Sequence, residues 1–411
     1  MAEAQSGKRI VVVGGGPAGV LAAIEAKRTD PAARVVLLTD EACEPYEKPP
    51  LSKAVLIGKA LPEHALIAGA GGVAAQNVVL ERTAVVTAID RAVREVTTTD
   101  GRRYPYDALV LATGSLVREL PQLPLGMARV HYLRTEADAR ALGAALQQAQ
   151  KLVVVGGGLI GLEAAASATE LGVRTTVLEV APRILARVCD EETGAFITNE
   201  HQRHGIDLRM GATIVRVNGT SDAISLAIEG GEIFTADLIV VGTGVKPNDA
   251  LAAAAGLATD NGIIVDEHCR TFDPAIFAAG DAVRFPAPHG VVRLENWRHA
   301  LDQGAVAGRN AAGASEAYRT VPSFWSEQYD VYIQGVGWPP VQPGVRIRRP
   351  LSGKSLLAFE IVDGVLVYAI GINAQRDLAA ARPLIERRIK VDAAALADPN
   401  RPLASMLKAT A

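Results

Sequence analysis

Cysteine is scarce in this chain: three in 411 residues, at positions 43, 189 and 269, with no C-x-x-C among them. That spacing excludes a disulfide framework and a cysteine zinc site, and it fits a reducing compartment. Long apolar runs are missing as well. None approaches the roughly 20 residues needed to cross a bilayer, so a soluble, cytoplasmic protein is expected. Lys8-Arg9 and the apolar residues after it have the outline of a secretory leader. Cleavage there would destroy the glycine turn described below, and that reading is rejected. Nor is there an excess of charge: 42 basic against 45 acidic residues leave a net −3, which argues against non-specific nucleic-acid binding. No Gly-x-Ser-x-Gly elbow or triad order is present. His201-x-x-His204 shares a helical face but has no third ligand, so no metal is expected.

What the chain does have is a glycine turn, used twice. Ile10-Val11-Val12-Val13 reads as a buried parallel strand, followed by Gly14-x-Gly16-x-x-Gly19 and a helical pattern from Val20 to Arg28. In this fingerprint Gly14 makes the tight turn, Gly16 admits a pyrophosphate to the backbone, and Gly19 lets helix and sheet pack closely. The helix start then offers N–H groups and a positive dipole end to phosphate. A second strand, Arg34 to Leu38, leads to Asp40, an acid placed to accept from an adenosine ribose. Lys151 to Gly161 repeats the motif as Gly156-x-Gly158-x-x-Gly161, and Arg174 to Glu179 repeats the strand with a terminal acid. Two such units in register point to two dinucleotide sites.

Between and after these units the chain supplies further candidates. Glu41 to Lys53 carries three prolines and reads as a rigid loop entering a helix near Ser52, with Lys53 beside the cofactor crevice. Asp100-Gly101 signals a hairpin, and a buried strand then opens into Ala112-Thr113-Gly114, suited to backbone contact with the first cofactor. Glu163, two residues past Gly161, is close enough to face a nicotinamide end. Gly262 to Asp266 and Thr271 to Ala279 read as strands, the latter ending in Gly280-Asp281, where an acid can accept from a polyol such as ribityl. Glu295 to Asn310 reads as a helix whose positive end would stabilise an anionic ring. Beyond Ser315 the period becomes two, with Asp363-Gly364 marking a type I′ turn and a helix over 377–390 interrupted by Pro383. The three tryptophans, 297, 325 and 338, are expected mostly in core. Arg346, Arg348, Arg349, Arg387, Arg388 and Lys390 form either a solvated face or a docking patch for an acidic partner.

The order of these motifs, closing with Phe324-Trp-Ser-Glu-Gln-Tyr329, resembles the FAD-dependent NADH–ferredoxin reductases of bacterial oxygenase systems across essentially the whole chain. The resemblance implies an α/β fold of two Rossmann-like, glutathione-reductase-like domains plus a C-terminal α+β domain. Its expected boundaries are 1–114 with 248–320 for FAD, 115–247 for NAD and 321–411 for the last domain. It implies that Gly14, Gly16, Ala18, Gly19 and Asp40 hold the FAD pyrophosphate and adenosine ribose, with Val86 at the adenine and Ala112, Thr113 and Gly114 nearby. It further implies that Lys53 lies by the isoalloxazine, Arg134 reaches the FAD, Gly280 and Asp281 serve the ribityl chain, and Trp297 abuts the ring. On the NAD side it implies Gly156, Gly158, Leu159, Ile160, Gly161, Glu179, Arg187 and Gly244, with Glu163 near the nicotinamide and paired with Lys53. Many relatives have arginine where Lys48 stands; lysine is a point charge rather than a fork, so the resemblance implies that Lys48 meets the FAD pyrophosphate as a single charge. The implied activity is NADH:ferredoxin oxidoreduction, one electron at a time to an acidic [2Fe–2S] ferredoxin serving a P450 or Rieske oxygenase. Glu179, with no arginine immediately after it and Arg183 the nearest, argues for NADH over NADPH. Two rivals remain: an NADH oxidase or peroxidase using a cysteine, for which Cys43 is the one nearby thiol, and an apoptosis-inducing-factor-like NADH-sensing flavoprotein.

Overall fold

The computed structural model describes residues 7–220, 223–288, 290–340 and 344–408. The chain divides into two compact units, one built from 1–47, 61–116 and 245–320, the other from 48–60, 117–244 and 321–411. The proline loop thus contributes its 48–60 portion to the second unit.

The first unit is organised on a five-stranded parallel sheet in the order Ile276–Ala278, Ala108–Leu111, Arg9–Val13, Arg34–Leu38, Val79–Glu81. Its central strands are buried on both faces, which is why they read as uninterrupted Val/Ile/Leu runs. The Pro17–Thr29 helix crosses between the first two strands in the chain, and the Trp297–Ala311 helix packs against it. Gly304 and Gly308 make that approach feasible. A Cβ on either would stand 2.2 and 2.1 Å from the carbonyl oxygens of Ala18 and Ala22. An antiparallel meander, Val86–Asp90, Glu95–Thr98 and Arg103–Pro105, carries the expected Asp100-Gly101 turn. Of the strand expected from 262 to 266 only Ile263–Ile264 forms, and Thr271 to Asp273 is a turn before the Ile276–Ala278 strand. There the Thr271 hydroxyl donates to the Ile276 carbonyl at 2.9 Å and diverts the chain from a ladder.

The second unit repeats the plan. Its parallel sheet runs Asp207–Met210, Arg174–Glu179, Lys151–Val155, Leu238–Val241, Val130–Tyr132, with the Leu159–Glu170 helix after the glycine turn. A three-stranded antiparallel layer, Ile214–Gly219, Ile224–Ile228 and Ile233–Ala236, packs beside it. Residues 321–408 add a five-stranded antiparallel sheet whose pairing follows the period-two runs. Asp363 and Gly364 have φ of 52° and 77° between Val362 and Val365, the conformation a type I′ turn requires.

Four expectations are corrected here. Ser52 ends a short 3-10 helix, Pro49–Ser52, instead of opening an α-helix, because two consecutive prolines restrict the turn. Pro383 does not interrupt its helix, which runs Gln375–Glu386; Leu378, Ala381, Leu384 and Ile385 are buried and hold the last turn in place. None of the three tryptophans is fully buried. Half of the basic cluster is spent on internal pairs: Arg346 on Asp190 and Glu360, Arg348 on Glu192, and the buried Arg349 on the Leu396 carbonyl and Asp377. Arg387, Arg388 and Lys390 stay exposed. His201 and His204 sit at the end of the Glu191–Arg203 helix, where His201 bonds to Gln328 and His204 stacks on Tyr329 at 3.6 Å.

Candidate nucleotide and redox site

The two glycine turns have matching backbone geometry. Gly14 and Gly156 have φ of 115° and 109°, and each donates its N–H at 2.8 Å to the last leucine of the neighbouring strand, Leu38 or Leu178. A Cβ on Gly19 would meet the Gly14 carbonyl oxygen at 1.8 Å, and one on Gly161 the Gly156 oxygen at 2.2 Å. These third glycines therefore bring helix and turn into contact, as the fingerprint requires. The middle glycines differ in kind. Beside Gly16 there is nothing within 4 Å, and beside Gly158 only the Gly242 oxygen at 4.0 Å.

Capping shows the same purpose. The Glu136–Leu146, Glu191–Arg203 and Trp297–Ala311 helices are each capped by a side chain, Thr135, Asp190 or Asn296. The Pro17–Thr29 and Leu159–Glu170 helices begin on Gly16 and Gly158 with no side-chain cap and no acid in the first turn. Open space, a bare positive helix end and first-turn N–H groups fit a dinucleotide pyrophosphate in both units.

In the first unit, Ala18 is buried where Gly280 and Gly304 converge, so its small side chain is a packing requirement. Ala112 N–H donates to the Val13 carbonyl, Thr113 Oγ1 donates to the Asn248 carbonyl at 2.6 Å, and the Gly114 carbonyl accepts from Asn248. Gly280 N–H donates to Gln303 Oε1 at 2.8 Å, while Asp281 accepts from Ser115 Oγ at 3.0 Å and its carbonyl from Arg293. The structure thereby brings Gly14, Ala18, Ala112 and Gly280 together at the strand ends. Val86 is half-buried at the start of its strand, Asp40 is exposed, and Trp297 opens its helix half-buried. The acids at the two second strands are not equivalent. Glu179 shares its register position with Thr39, and Asp40 lies one residue further, at a bend past the end of its strand.

In the second unit, Glu179 accepts from the N–H groups of Gly157 at 2.6 Å and Ala181 at 2.7 Å. Gly244, φ 98°, lies under the exposed Arg187, whose Nη2 would be 3.6 Å from a Cβ there. Leu159 is half-buried and Ile160 exposed at the start of the helix. Arg183 is committed elsewhere: its guanidinium donates to the carbonyls of Ile184, Ala186 and Cys189. Lys48, Lys53 and Arg134 belong to this unit.

The strongest polar cluster in this unit centres on Glu163. Its carboxylate accepts from Lys53 Nζ at 3.0 Å, from Ser326 Oγ at 2.6 Å and from Ser52 Oγ. Glu163 is buried and Lys53 nearly so, with side-chain exposures of 7 % and 19 %. Ser167 Oγ donates to the Ser52 carbonyl at 2.7 Å and fixes the turn that presents Lys53. The ion pair expected between Lys53 and Glu163 is therefore present. Sequence reasoning missed Ser52, Ser326 and Gln328. The signal was available in the last two: on a strand whose alternate residues face inward, both inward residues are polar. Thr39 and Gln303 were missed too, and their roles as backbone partners, like that of Arg183, leave no sequence pattern.

Residues 8–304 match the family model described as pyridine nucleotide-disulphide oxidoreductase, and 323–407 match the model described as reductase C-terminal. The anthranilate 1,2-dioxygenase system ferredoxin–NAD(+) reductase component of Burkholderia cepacia is 40% identical over 97% of this chain and 98% of that protein. Putidaredoxin reductase of Pseudomonas putida is 34% identical over 97% of both. This chain belongs to the ferredoxin–NAD(+) reductases of that oxidoreductase family. A crystal structure of the covalent putidaredoxin reductase–putidaredoxin complex superposes with a TM-score of 0.92 at 34% identity, covering 98% of this chain and 99% of that one. In this reductase Ser52, at the end of the Pro49–Ser52 turn, hydrogen-bonds Glu163. Cys189 and Cys269 are buried and burial pushes both thiols up, Cys189 to about 11, so neither offers a ready thiolate. No helix among the described residues is long and apolar enough to cross a membrane.

Proposed function

We infer that this chain is an FAD-containing, NADH-dependent ferredoxin reductase that works in the cytoplasm and feeds a P450 or Rieske oxygenase through a [2Fe–2S] protein. The observation that carries the reading is full-length similarity to ferredoxin reductases together with two uncapped glycine-turn helices and the Lys53–Glu163 pair. FAD, when bound, accepts a hydride from NADH and releases electrons singly to the iron–sulfur partner.

The chain's own residues bind and orient. Gly14, Gly16, Ala18 and Gly19 would hold the FAD pyrophosphate on the helix end, Asp40 and Val86 the adenosine, and Asp281, kept in place by Ser115, the ribityl hydroxyls. Lys48, Arg134, Ala112, Thr113, Gly114, Gly280 and Trp297 complete that set. Gly156, Gly158, Leu159, Ile160 and Gly161 would seat the NADH pyrophosphate, with Arg187 and Gly244 beside it. Glu179 would take the ribose, and Arg183, occupied by three carbonyls, is not offered to a 2′-phosphate. No general acid or nucleophile is needed. Lys53, held by Glu163, places a positive charge that positions the reacting rings and favours the reduced, anionic state.

The test is to mix the purified yellow protein with [2Fe–2S] proteins from the same genome and follow their reduction by NADH. Cytochrome c reduction that depends on the added [2Fe–2S] protein supports the reading. A slow, long-lived charge-transfer complex that reduces none of them points instead to a NADH-sensing flavoprotein, and loss of turnover on thiol blocking to a cysteine-based oxidase.

A further inference from the structure

The Glu163 carboxylate is the end of a buried hydrogen-bond chain that the reaction described above does not explain. Glu163 Oε1 can only accept, so the Ser326 hydroxyl donates to it at 2.6 Å. Ser326 Oγ in turn accepts from Gln328 Nε2 at 3.0 Å. The other end of that amide, Oε1, faces His201 Nε2 at 2.7 Å and must accept from it. Burial lowers the His201 pKa, which keeps the imidazole neutral with its hydrogen on Nε2. Every hydrogen in the series therefore points towards one carboxylate. Glu163, Ser326, Gln328 and His201 have relative exposures of 6, 0, 2 and 0 %.

Such a series is costly to bury and gains strength only when fully connected, each bond polarising the next. Its elements come from far apart in the chain: the Leu159–Glu170 helix, the Glu191–Arg203 helix and the Ser323–Gln328 strand. A set of aliphatic side chains would fill the same space without the desolvation penalty.

We propose that His201, Gln328 and Ser326 are positioning residues that act through Glu163, fixing the carboxylate so that Lys53 is held for hydride transfer. The proposal rests on the reductase reading for its kinetic consequence, while the positioning itself is measurable without NADH or ferredoxin. Ser326→Ala and Gln328→Leu remove a donor from the series. Gln328→Glu keeps the volume and the His201 bond, yet takes the single Ser326 hydrogen away from Glu163. Ser326→Thr retains the hydroxyl.

Two measurements on the FAD-loaded protein test this. Acetic anhydride labelling of Lys53, referenced to exposed Lys59 by mass spectrometry, is expected to rise at least about threefold in Ser326→Ala, Gln328→Leu and Gln328→Glu, and to fall back in Ser326→Thr. In stopped-flow reduction by NADH the limiting rate is expected to fall about tenfold in the first three, with NADH affinity little moved. Adding Ser326→Ala to Lys53→Ala is expected to slow reduction no further. Unchanged Lys53 labelling in any folded variant that has lost the donor overturns the proposal, as does full additivity with Lys53→Ala. Failure of the wild-type protein to reduce any [2Fe–2S] protein would sink the reductase reading instead and leave the labelling result standing.

Discussion

Thr39 and Glu179 occupy the same register position in the two parallel sheets, each directly after the leucine that accepts the first glycine's N–H. One unit thus places a neutral hydroxyl where the other places a carboxylate. The two turns share a backbone and differ in the side chain at this position.

Glu179 is the acid proposed above for the NADH ribose. Glu179→Ala is expected to cut kcat/KM for NADH by about tenfold, the value of a hydrogen bond to a charged group, and to change that for NADPH much less. Steady-state kinetics with both nucleotides measure it. Since Arg183 is tied to carbonyls, removing the acid alone is not expected to create a preference for NADPH.

Lys53→Ala leaves Glu163 buried with two hydroxyl donors and no countercharge. Flavin reduction by NADH is expected to slow by at least about tenfold while FAD stays bound. Stopped-flow absorbance gives the rate, and the flavin-to-protein ratio gives the occupancy. An unaltered rate would remove Lys53 from the site.

Gly304→Ala places a methyl about where the Ala18 carbonyl oxygen already is, a separation of 2.2 Å against backbone that cannot rotate away. The helices must part, at a cost of about 1–3 kcal/mol. Because Ala18 also touches Gly280, the strain reaches the expected FAD cradle. A lower Tm and a lowered FAD content are expected together, the second read from the 450 nm absorbance after gel filtration.

Acid sensitivity has an identifiable source in His299. It is buried, stacked on Phe285 and bonded through Nδ1 to Tyr318 OH, and burial lowers its pKa to about 3. The unfolded chain binds this proton near pH 6.5, so the stability that the neutral ring confers is complete above that pH. It is lost as pH falls from about 6.5 towards 3, at about 1.4 kcal/mol per unit. Urea unfolding at pH 7 and pH 5 measures the slope, and His299→Phe is expected to flatten it.

The parallel sheets, both glycine turns, the Asp363-Gly364 hairpin and the Lys53–Glu163 pair were legible because each leaves a local pattern or a family motif. The residues that hold the site in place were not. Arg183, Gln303 and Ser167 act on backbone carbonyls or N–H groups, and any sequence with a polar side chain there looks alike. The basic run at 346–349 misled for a related reason. Its neutralising acids, Asp190 and Glu192, are more than a hundred and fifty positions away, and only the fold brings them near. Asp40 and Glu179 looked like one motif used twice because nearness to the strand end was counted, not the register.

The strand that carries Ser326 and Gln328 belongs to the C-terminal sheet, yet its inward side chains reach the carboxylate beside the second glycine turn. Exchanging this sheet between relatives is therefore expected to disturb the Lys53–Glu163 pair as well. Chimeras cut at Thr320 are expected to keep the Glu163 contacts only where a hydroxyl and an amide stand at these positions.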